Sequence, residues 1–105
     1  MTTNTQLIEL DPRWCSSGGS GITDKDGNPV PLREKIGLIC DCPKCGEDHP
    51  LFVPFANPLD GGPPTHPVAW RRSGDTFETL TLTPSILRKD CGWHGFIRNG
   101  LIVTA

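Results

Sequence analysis

The segment CDCPKCGEDH, residues 40–49, places three cysteines and a histidine within ten positions. Cys42 and Cys45 have the Cys-x-x-Cys spacing, and the glycine that follows, Gly46, lets the backbone turn beneath a bound ion with a positive φ. A tight turn of this kind supplies part of a tetrahedral zinc site, and the remaining ligands come from another part of the chain. The segment therefore predicts one half of a metal site.

The second half of the predicted site lies near the end of the chain, in the segment CGWHG. Cys91 and His94 have Cys-x-x-His spacing, and a glycine follows again. Two knuckles of matching form predict one zinc ion bound by Cys42, Cys45, Cys91 and His94. Four protein ligands leave no open position for water, so we expect a structural zinc. The alternative is a redox pair of Cys42 and Cys45, but that motif belongs in a βαβ unit, which the surrounding prolines and glycines do not favour.

The remaining cysteines and histidines are weaker candidates for ligands. Cys40 ends an apolar run, and we expect a buried thiol, with a role as an alternative ligand left open. His49 follows Cys45 too closely to join the knuckle without crowding it. We expect His66 to be solvated and Cys15 to be a free thiol.

The composition indicates one small domain with few helices. The chain has 105 residues, of which 35% are apolar, and it contains 12 glycines and 11 prolines. Five cysteines in a chain with a polar N-terminal stretch and no secretory signal favour metal binding over disulfides. The sequence has no apolar run of about 20 residues that is long enough for a membrane span. We therefore expect a cytoplasmic protein that is not secreted.

Short apolar runs between turns predict a mostly β fold, namely a small zinc-ribbon-like antiparallel sheet. The strand candidates are residues 36–40, 50–55, 68–72 and 76–82. Asn99 and Gly100 separate two further runs and favour a type I′ turn in a C-terminal hairpin. We expect residues 1–35 to form a long irregular segment, either packed on the domain or flexibly attached, and residues 36–105 to form the zinc-stapled β-domain.

The sequence shows no clear catalytic constellation. A nucleophilic Ser85 is disfavoured, because no Asp/His pair is placed by the sequence to activate it. Asp48 and His49 follow the first knuckle too directly for an HNH-like nuclease. The His/Cys-x-Glu element of a zinc deaminase is missing upstream of the knuckle. The sequence therefore predicts a protein without enzymatic activity.

A nucleic-acid-binding zinc ribbon is the main alternative to a protein-binding module. The formal net charge is −2, whereas nucleic-acid binders usually carry a stronger positive patch. Five basic residues of the C-terminal half can nevertheless form one basic face. They are Arg71, Arg72, Arg88, Lys89 and Arg98.

Three motifs, CPKCGEDHPLFVPFANPLDGGPP, WRRSGDTFETLTLTPSIL and CGWHGFIRNG, occur in this order. Together they resemble a family of small uncharacterised proteins of bacteriophages, prophages and bacteria, over about residues 36–104. Phage members are sometimes labelled ammonia monooxygenase-like, and some relatives lie near genes for bacterial ubiquitin-like conjugation. Many members read Cys-Pro-Cys-Gly-Cys-Gly in place of CDCPKCG, which leaves the role of Cys40 open.

The resemblance implies zinc binding through the two knuckles and a phage or prophage origin, but no activity. We therefore predict a non-enzymatic zinc-binding module that binds another protein, either viral or from the host, as a virion accessory or as a binder of a host or defence factor. The expected location is the host cytoplasm or the virion.

Overall fold

The structure is a computed structural model, and it describes residues 4–105. The strands are β1 (Asn4–Gln6), β2 (Arg13–Ser17), β3 (Arg33–Cys42), β4 (Gly46–Pro54), β5 (Arg71–Ser73), β6 (Thr81–Arg88), β7 (Trp93–Arg98) and β8 (Leu101–Thr104), and one short 3₁₀ helix covers Leu7–Leu10. They form a five-stranded sheet of order β1-β8-β7-β6-β5 and a three-stranded sheet of order β2-β3-β4. All strand pairs within the two sheets are antiparallel, which confirms the predicted mostly β fold.

The C-terminal hairpin of β7 and β8 forms as its sequence predicts. Asn99 and Gly100 have φ angles of 52° and 73°, which a type I′ turn requires of both central residues. Arg98 and Leu101 pair directly on either side of them. The hairpin places β7 in the middle of the five-stranded sheet, between β6 and β8.

The core lies between the two sheets and follows the alternation of side chains along the strands. The three-stranded sheet contributes Leu38, Cys40, Leu51, Val53 and neighbouring residues, and the five-stranded sheet contributes Leu82, Ile86, Trp93, Ile97 and Ile102. On β7 the buried residues Trp93, Gly95 and Ile97 alternate with His94, Phe96 and Arg98. The latter three therefore lie on the face of the sheet that is turned away from the core.

The N-terminal segment contributes a strand to each sheet. Within residues 4–35, β1 pairs with β8, β2 pairs with β3, and the 3₁₀ helix buries Leu7 in the core. Pairing with distant strands, and not a local pattern, gives these short segments their structure. A domain boundary between residues 35 and 36 stays a prediction.

The strand predicted at residues 76–82 is displaced toward the C-terminus. Thr76 and Thr79 join their side-chain hydroxyls in a turn, with 2.7 Å between the oxygens, and β6 begins only at Thr81. The strand then continues through Pro84 to Arg88. Among the described residues, no helix is long and apolar enough to cross a membrane.

Candidate active site and metal centre

Three of the four predicted zinc ligands lie together. Cys42 ends β3, Cys45 lies in the turn to β4, and Cys91 lies in the turn between β6 and β7. Their sulfur atoms all lie within 4.8 Å of one another. Cys42 Sγ and Cys91 Sγ are 3.7 Å apart, and two sulfurs bound at about 2.3 Å to a tetrahedral zinc would be separated by about 3.8 Å. The three cysteines therefore form a group that can hold a metal ion.

The backbone around Cys42 favours its thiolate. Burial alone would raise the pKa of the Cys42 thiol, but the N–H groups of Cys45 and Lys44, together with the neighbouring thiols, lower it overall. The pKa of Cys45 is raised to about 11, first because its thiol is hydrogen-bonded with Cys91. The thiolate form of Cys42 is therefore favoured, whereas Cys45 loses its proton when it binds a metal ion.

Two basic side chains hold the strands around this cluster. Lys44 Nζ donates a hydrogen bond of 2.7 Å to the carbonyl oxygen of Cys91 and so joins the two turns. Arg88 donates to the carbonyl oxygens of His49 and Pro50, at 2.6 and 3.1 Å, and joins β6 to β4. Desolvation lowers the pKa of Arg88, but its hydrogen bond with the sulfur of Cys42 raises it overall. A cation beside the sulfurs offsets part of their negative charge.

The other candidate ligands lie elsewhere. Within residues 4–105 the metal-binding group consists of the three cysteines, and His94 is not a member. Cys40 is fully buried in the core, as predicted, and burial raises the pKa of its thiol to about 12. His49 and His66 are both exposed. The ligand set that includes His94 stays a prediction.

The ring of His94 lies against Ser85. The His94 Nε2 atom and the Ser85 Oγ atom are 3.0 Å apart, within hydrogen-bond distance. Ser85 belongs to β6 and His94 to β7, so the two side chains meet across adjacent strands. His94 is exposed and Ser85 is half-buried, on the face of the sheet turned away from the core. The pair therefore lies on the outer face of the five-stranded sheet, with the imidazole on its solvent side.

A bulge in β6 brings Ser85 to this position. Leu82 pairs with Ile97 and Ile86 pairs with Gly95, so three residues of β6 lie opposite Phe96 alone. Bulges re-aim side chains and are frequent beside active sites. The carbonyl oxygen of Ser85 accepts a hydrogen bond of 3.2 Å from the indole N–H of Trp70, which fixes the backbone at the bulge.

An imidazole within hydrogen-bond distance of a serine hydroxyl can remove its proton and activate it as a nucleophile. The sequence alone disfavoured Ser85 as a nucleophile because it places no Asp/His pair to activate the hydroxyl. The missed signal is the turn around Cys91. If residues 81–98 are read as one hairpin about that turn, Leu87 lies opposite His94, and Ser85 follows on the same face.

The five basic residues do not form one free basic face. Arg72 donates to the carbonyl oxygens of Asn57 and Gly74, and Arg88 is committed to β4 as described above. The guanidinium of Arg98 lies 4.2 Å above the ring of Phe96. This arrangement gives little support to a nucleic-acid interface.

Comparison with known proteins gives one match. The model of the family described as "Bacterial ubiquitination-like system serine protease (BubE)" matches residues 23–105. No curated protein and no solved structure matches the chain. The family match concerns a small, poorly characterised family, and it leaves the phage or prophage origin a prediction.

The family description overturns two of our predictions. We predicted a protein without enzymatic activity and a non-enzymatic protein-interaction module, whereas the family is named for a serine protease, and both predictions are wrong. They failed because the proximity of a serine and a histidine depends on strand register, which the sequence motifs did not reveal. The match covers most of the chain, and this protein belongs to the BubE family of bacterial ubiquitination-like system serine proteases.

Proposed function

We propose that this chain is a serine peptidase in which Ser85 is the nucleophile and His94 is the general base. The observation that carries the proposal is the 3.0 Å distance between Ser85 Oγ and His94 Nε2 on the exposed face of the sheet. The name of the family supports the same reaction class independently of this geometry.

The reaction follows the usual course of serine catalysis. Ser85 Oγ attacks the carbonyl carbon of the scissile bond, and its proton passes to His94 Nε2. The tetrahedral intermediate collapses, the C–N bond breaks, and the protonated ring gives its proton to the leaving amine. Water then attacks the acyl ester, with His94 again taking a proton, and the released Ser85 hydroxyl recovers that proton.

The surrounding strands hold the two groups in place. The carbonyl oxygen of His94 accepts a hydrogen bond of 2.9 Å from the backbone N–H of Ala105, which ties this part of β7 to the end of β8. Trp70 fixes the carbonyl of Ser85 from the opposite side. The nucleophile and the base therefore each have a backbone anchor of their own, which limits the entropy lost when the substrate binds.

We also propose that Cys42, Cys45 and Cys91 supply three ligands to a zinc ion whose role is to hold the two turns together. Thiolates suit zinc, and the separation of the sulfurs of Cys42 and Cys91 fits a tetrahedral site. Such an ion would fasten the turn between β6 and β7 to the turn between β3 and β4. Because β6 and β7 carry Ser85 and His94, the ion would stabilise the hairpin on which catalysis depends. A His94 ring that faces Ser85 through Nε2 cannot offer that nitrogen to the metal.

The substrate that we propose is a protein of a bacterial ubiquitination-like system, in keeping with the family description. The position of Ser85 on the outer face of the sheet, beside the exposed His94, supports a macromolecular substrate, because an extended polypeptide can reach this face. We predicted another protein as the partner, and we propose that such a protein is the substrate that is cleaved.

A fluorophosphonate probe, which modifies activated serines, tests the assignment. We expect the wild-type protein to be labelled and mass spectrometry to place the adduct on Ser85. Ser85→Ala should lose labelling, and His94→Ala should be labelled at a rate lower by roughly 10³-fold. Ser73→Ala, which changes an exposed serine in β5, is the matched control and should be labelled like the wild type.

Circular dichroism of each variant shows whether the fold is retained. Equal labelling of Ser85→Ala and the wild type would contradict the proposal. So would full labelling of a folded His94→Ala variant, because the hydroxyl would then not need the imidazole.

A further inference from the structure

The edge of β6 beside the nucleophile is open. β5 pairs with β6 only at Thr81–Thr83. Beyond Thr83, among residues 4–105, no strand pairs with β6 on that side. The uncovered part begins at Pro84 and includes Ser85 and Leu87.

The hydrogen-bond directions show which backbone groups are free. The carbonyl of His94 is directed at β8, because it accepts from Ala105. Since Leu87 lies opposite His94, its own N–H and C=O groups point away from β7, toward the uncovered side. The carbonyl of Ser85 points the same way and reaches Trp70. Leu87 therefore presents a donor and an acceptor to solvent two residues from the nucleophile.

A groove runs along this open edge, and large apolar side chains form part of its lining. Its volume is about 290 Å³, close to the lower end of the range of ligand sites, about 300–1,000 Å³. β4 contributes Phe52 to its lining, β6 contributes Leu87 and Arg88, and Trp70 and the turn residue Asp90 lie beside them. Phe52 and Leu87 are 37% and 54% exposed, and the ring of Phe52 lies 5.1 Å from the ring of His66.

We propose that the polypeptide substrate binds to this edge of β6 as an added strand and places an apolar side chain in the groove. This inference rests on the proposed function of Ser85 and His94. Main-chain hydrogen bonds with Leu87 would hold the segment extended, and alternate side chains of an added strand point toward the protein surface. The groove, which includes Phe52 and Trp70, takes one of them. The enzyme would therefore prefer an extended segment with a large apolar residue near the cleaved bond.

We assign the edge of β6 to the substrate because this edge adjoins the candidate active site. Leu87 pairs directly with His94, and Ser85 is two residues away on the same strand, so a chain bound at this edge passes beside the reactive hydroxyl. A second copy of the protein that pairs edge to edge is the competing occupant. It would cover Leu87 and obstruct access to the groove.

The test uses the whole protein and a library of internally quenched peptides with randomised positions around the cleaved bond. We expect a preference for a large apolar residue at one position. Phe52→Ser should lower kcat/KM for the preferred peptide by about tenfold or more, mainly through KM. Ile22→Ser is the matched control, because Ile22 is 48% exposed outside this groove, and it should leave kcat/KM unchanged.

Two further measurements separate the possible outcomes. N-methylation of the preferred peptide, one backbone nitrogen at a time, should abolish cleavage at the position that pairs with Leu87. Hydrolysis of p-nitrophenyl acetate, which is too small to use the groove, should be the same for Phe52→Ser and the wild type.

Cleavage that is indifferent to both Phe52→Ser and N-methylation would overturn this inference while leaving the catalytic pair in place. Light scattering that shows a dimer of the wild type and a monomer of Phe52→Ser would assign the edge to a second copy instead. A failure of Ser85→Ala to lose labelling would refute the proposed function itself.

Discussion

The cysteine cluster and the Ser85–His94 pair meet in the hairpin of β6 and β7, where Cys91 lies in the turn and Ser85 and His94 lie in the strands. The two groups differ in how well the sequence reveals them. Cys42 and Cys91 are 49 positions apart, and the spacing motifs around each identify them. Ser85 and His94 are only nine positions apart, and no motif marks them as a pair, since the Cys-x-x-His motif associates His94 with the cysteines. Metal ligands are recognisable because the ion imposes its geometry on local turns, whereas a serine and a histidine meet through the register of two strands. A short separation in sequence thus does not make a functional pair easier to predict.

Removing one metal ligand should have the largest effect, because it acts on both regions. We expect Cys91→Ser to lose bound zinc, which elemental analysis measures, and to unfold at a much lower Tm. The binding energy of a structural zinc, on the order of 10 kcal/mol, is comparable to the whole stability of a small domain. Labelling of Ser85 should fall with the fraction of folded protein.

The contrast with two other variants sharpens this result. Ser85→Ala should abolish labelling with little change in Tm. Cys15→Ser makes the same substitution at a cysteine outside the cluster and should change neither metal content nor labelling. If Cys91→Ser kept the metal content and the Tm of the wild type, the cluster would not be a structural metal site.

Loss of the hydrogen bond from Trp70 should have a moderate effect confined to the catalytic pair. Trp70→Phe keeps an aromatic ring but removes the indole N–H that fixes the carbonyl of Ser85. A neutral hydrogen bond contributes about 0.5–1.5 kcal/mol, so kcat for p-nitrophenyl acetate should fall roughly two- to tenfold. Zinc content should not change.

The control for Trp70→Phe is Trp14→Phe. Trp14 stacks on Phe77 at 4.3 Å between ring centroids, away from Ser85, so this variant should keep the kcat of the wild type. Equal kcat values for all three proteins would show that the contact with Trp70 does not position the nucleophile.

The smallest effect on stability is expected when the ion pair of Arg33 and Asp60, which lies outside both regions, is removed. The Arg33 side chain and the Gly62 N–H lower the pKa of Asp60 from 3.8 to about 2. A carboxylate whose pKa is lower in the folded protein adds stability above its unfolded value, and this contribution is lost as the pH falls from about 4 to about 2. Asp60→Asn should therefore lower Tm slightly at pH 7 and not at pH 2.

Because both partners are near the surface, the decrease at pH 7 should amount to no more than a few degrees. Asp75→Asn is a control at an exposed carboxylate. A decrease at pH 7 that persisted unchanged at pH 2 would exclude the ion pair as its cause.

Part of this architecture can be predicted from the sequence, and the limit has a physical origin. Asn99 and Gly100 identify the C-terminal hairpin because a type I′ turn demands positive φ at both positions. The knuckles identify Cys42, Cys45 and Cys91. The path of β6 could not be predicted, because a proline within a strand normally argues against a central position. Only the bulge reconciles Pro84 with a strand that is paired on both sides over part of its length.

The bulge that brings Ser85 to His94 also interrupts the regular pairing of β6 with β7. β6 uses two more residues than β7 between the pairs Leu82–Ile97 and Ile86–Gly95. A shorter β6, lacking two residues between Leu82 and Ile86, could form an uninterrupted ladder and keep every core residue. The bulge that brings Ser85 to His94 would then be absent. Two additional residues in β6 thus distinguish the proposed catalyst from a regular hairpin of the same fold.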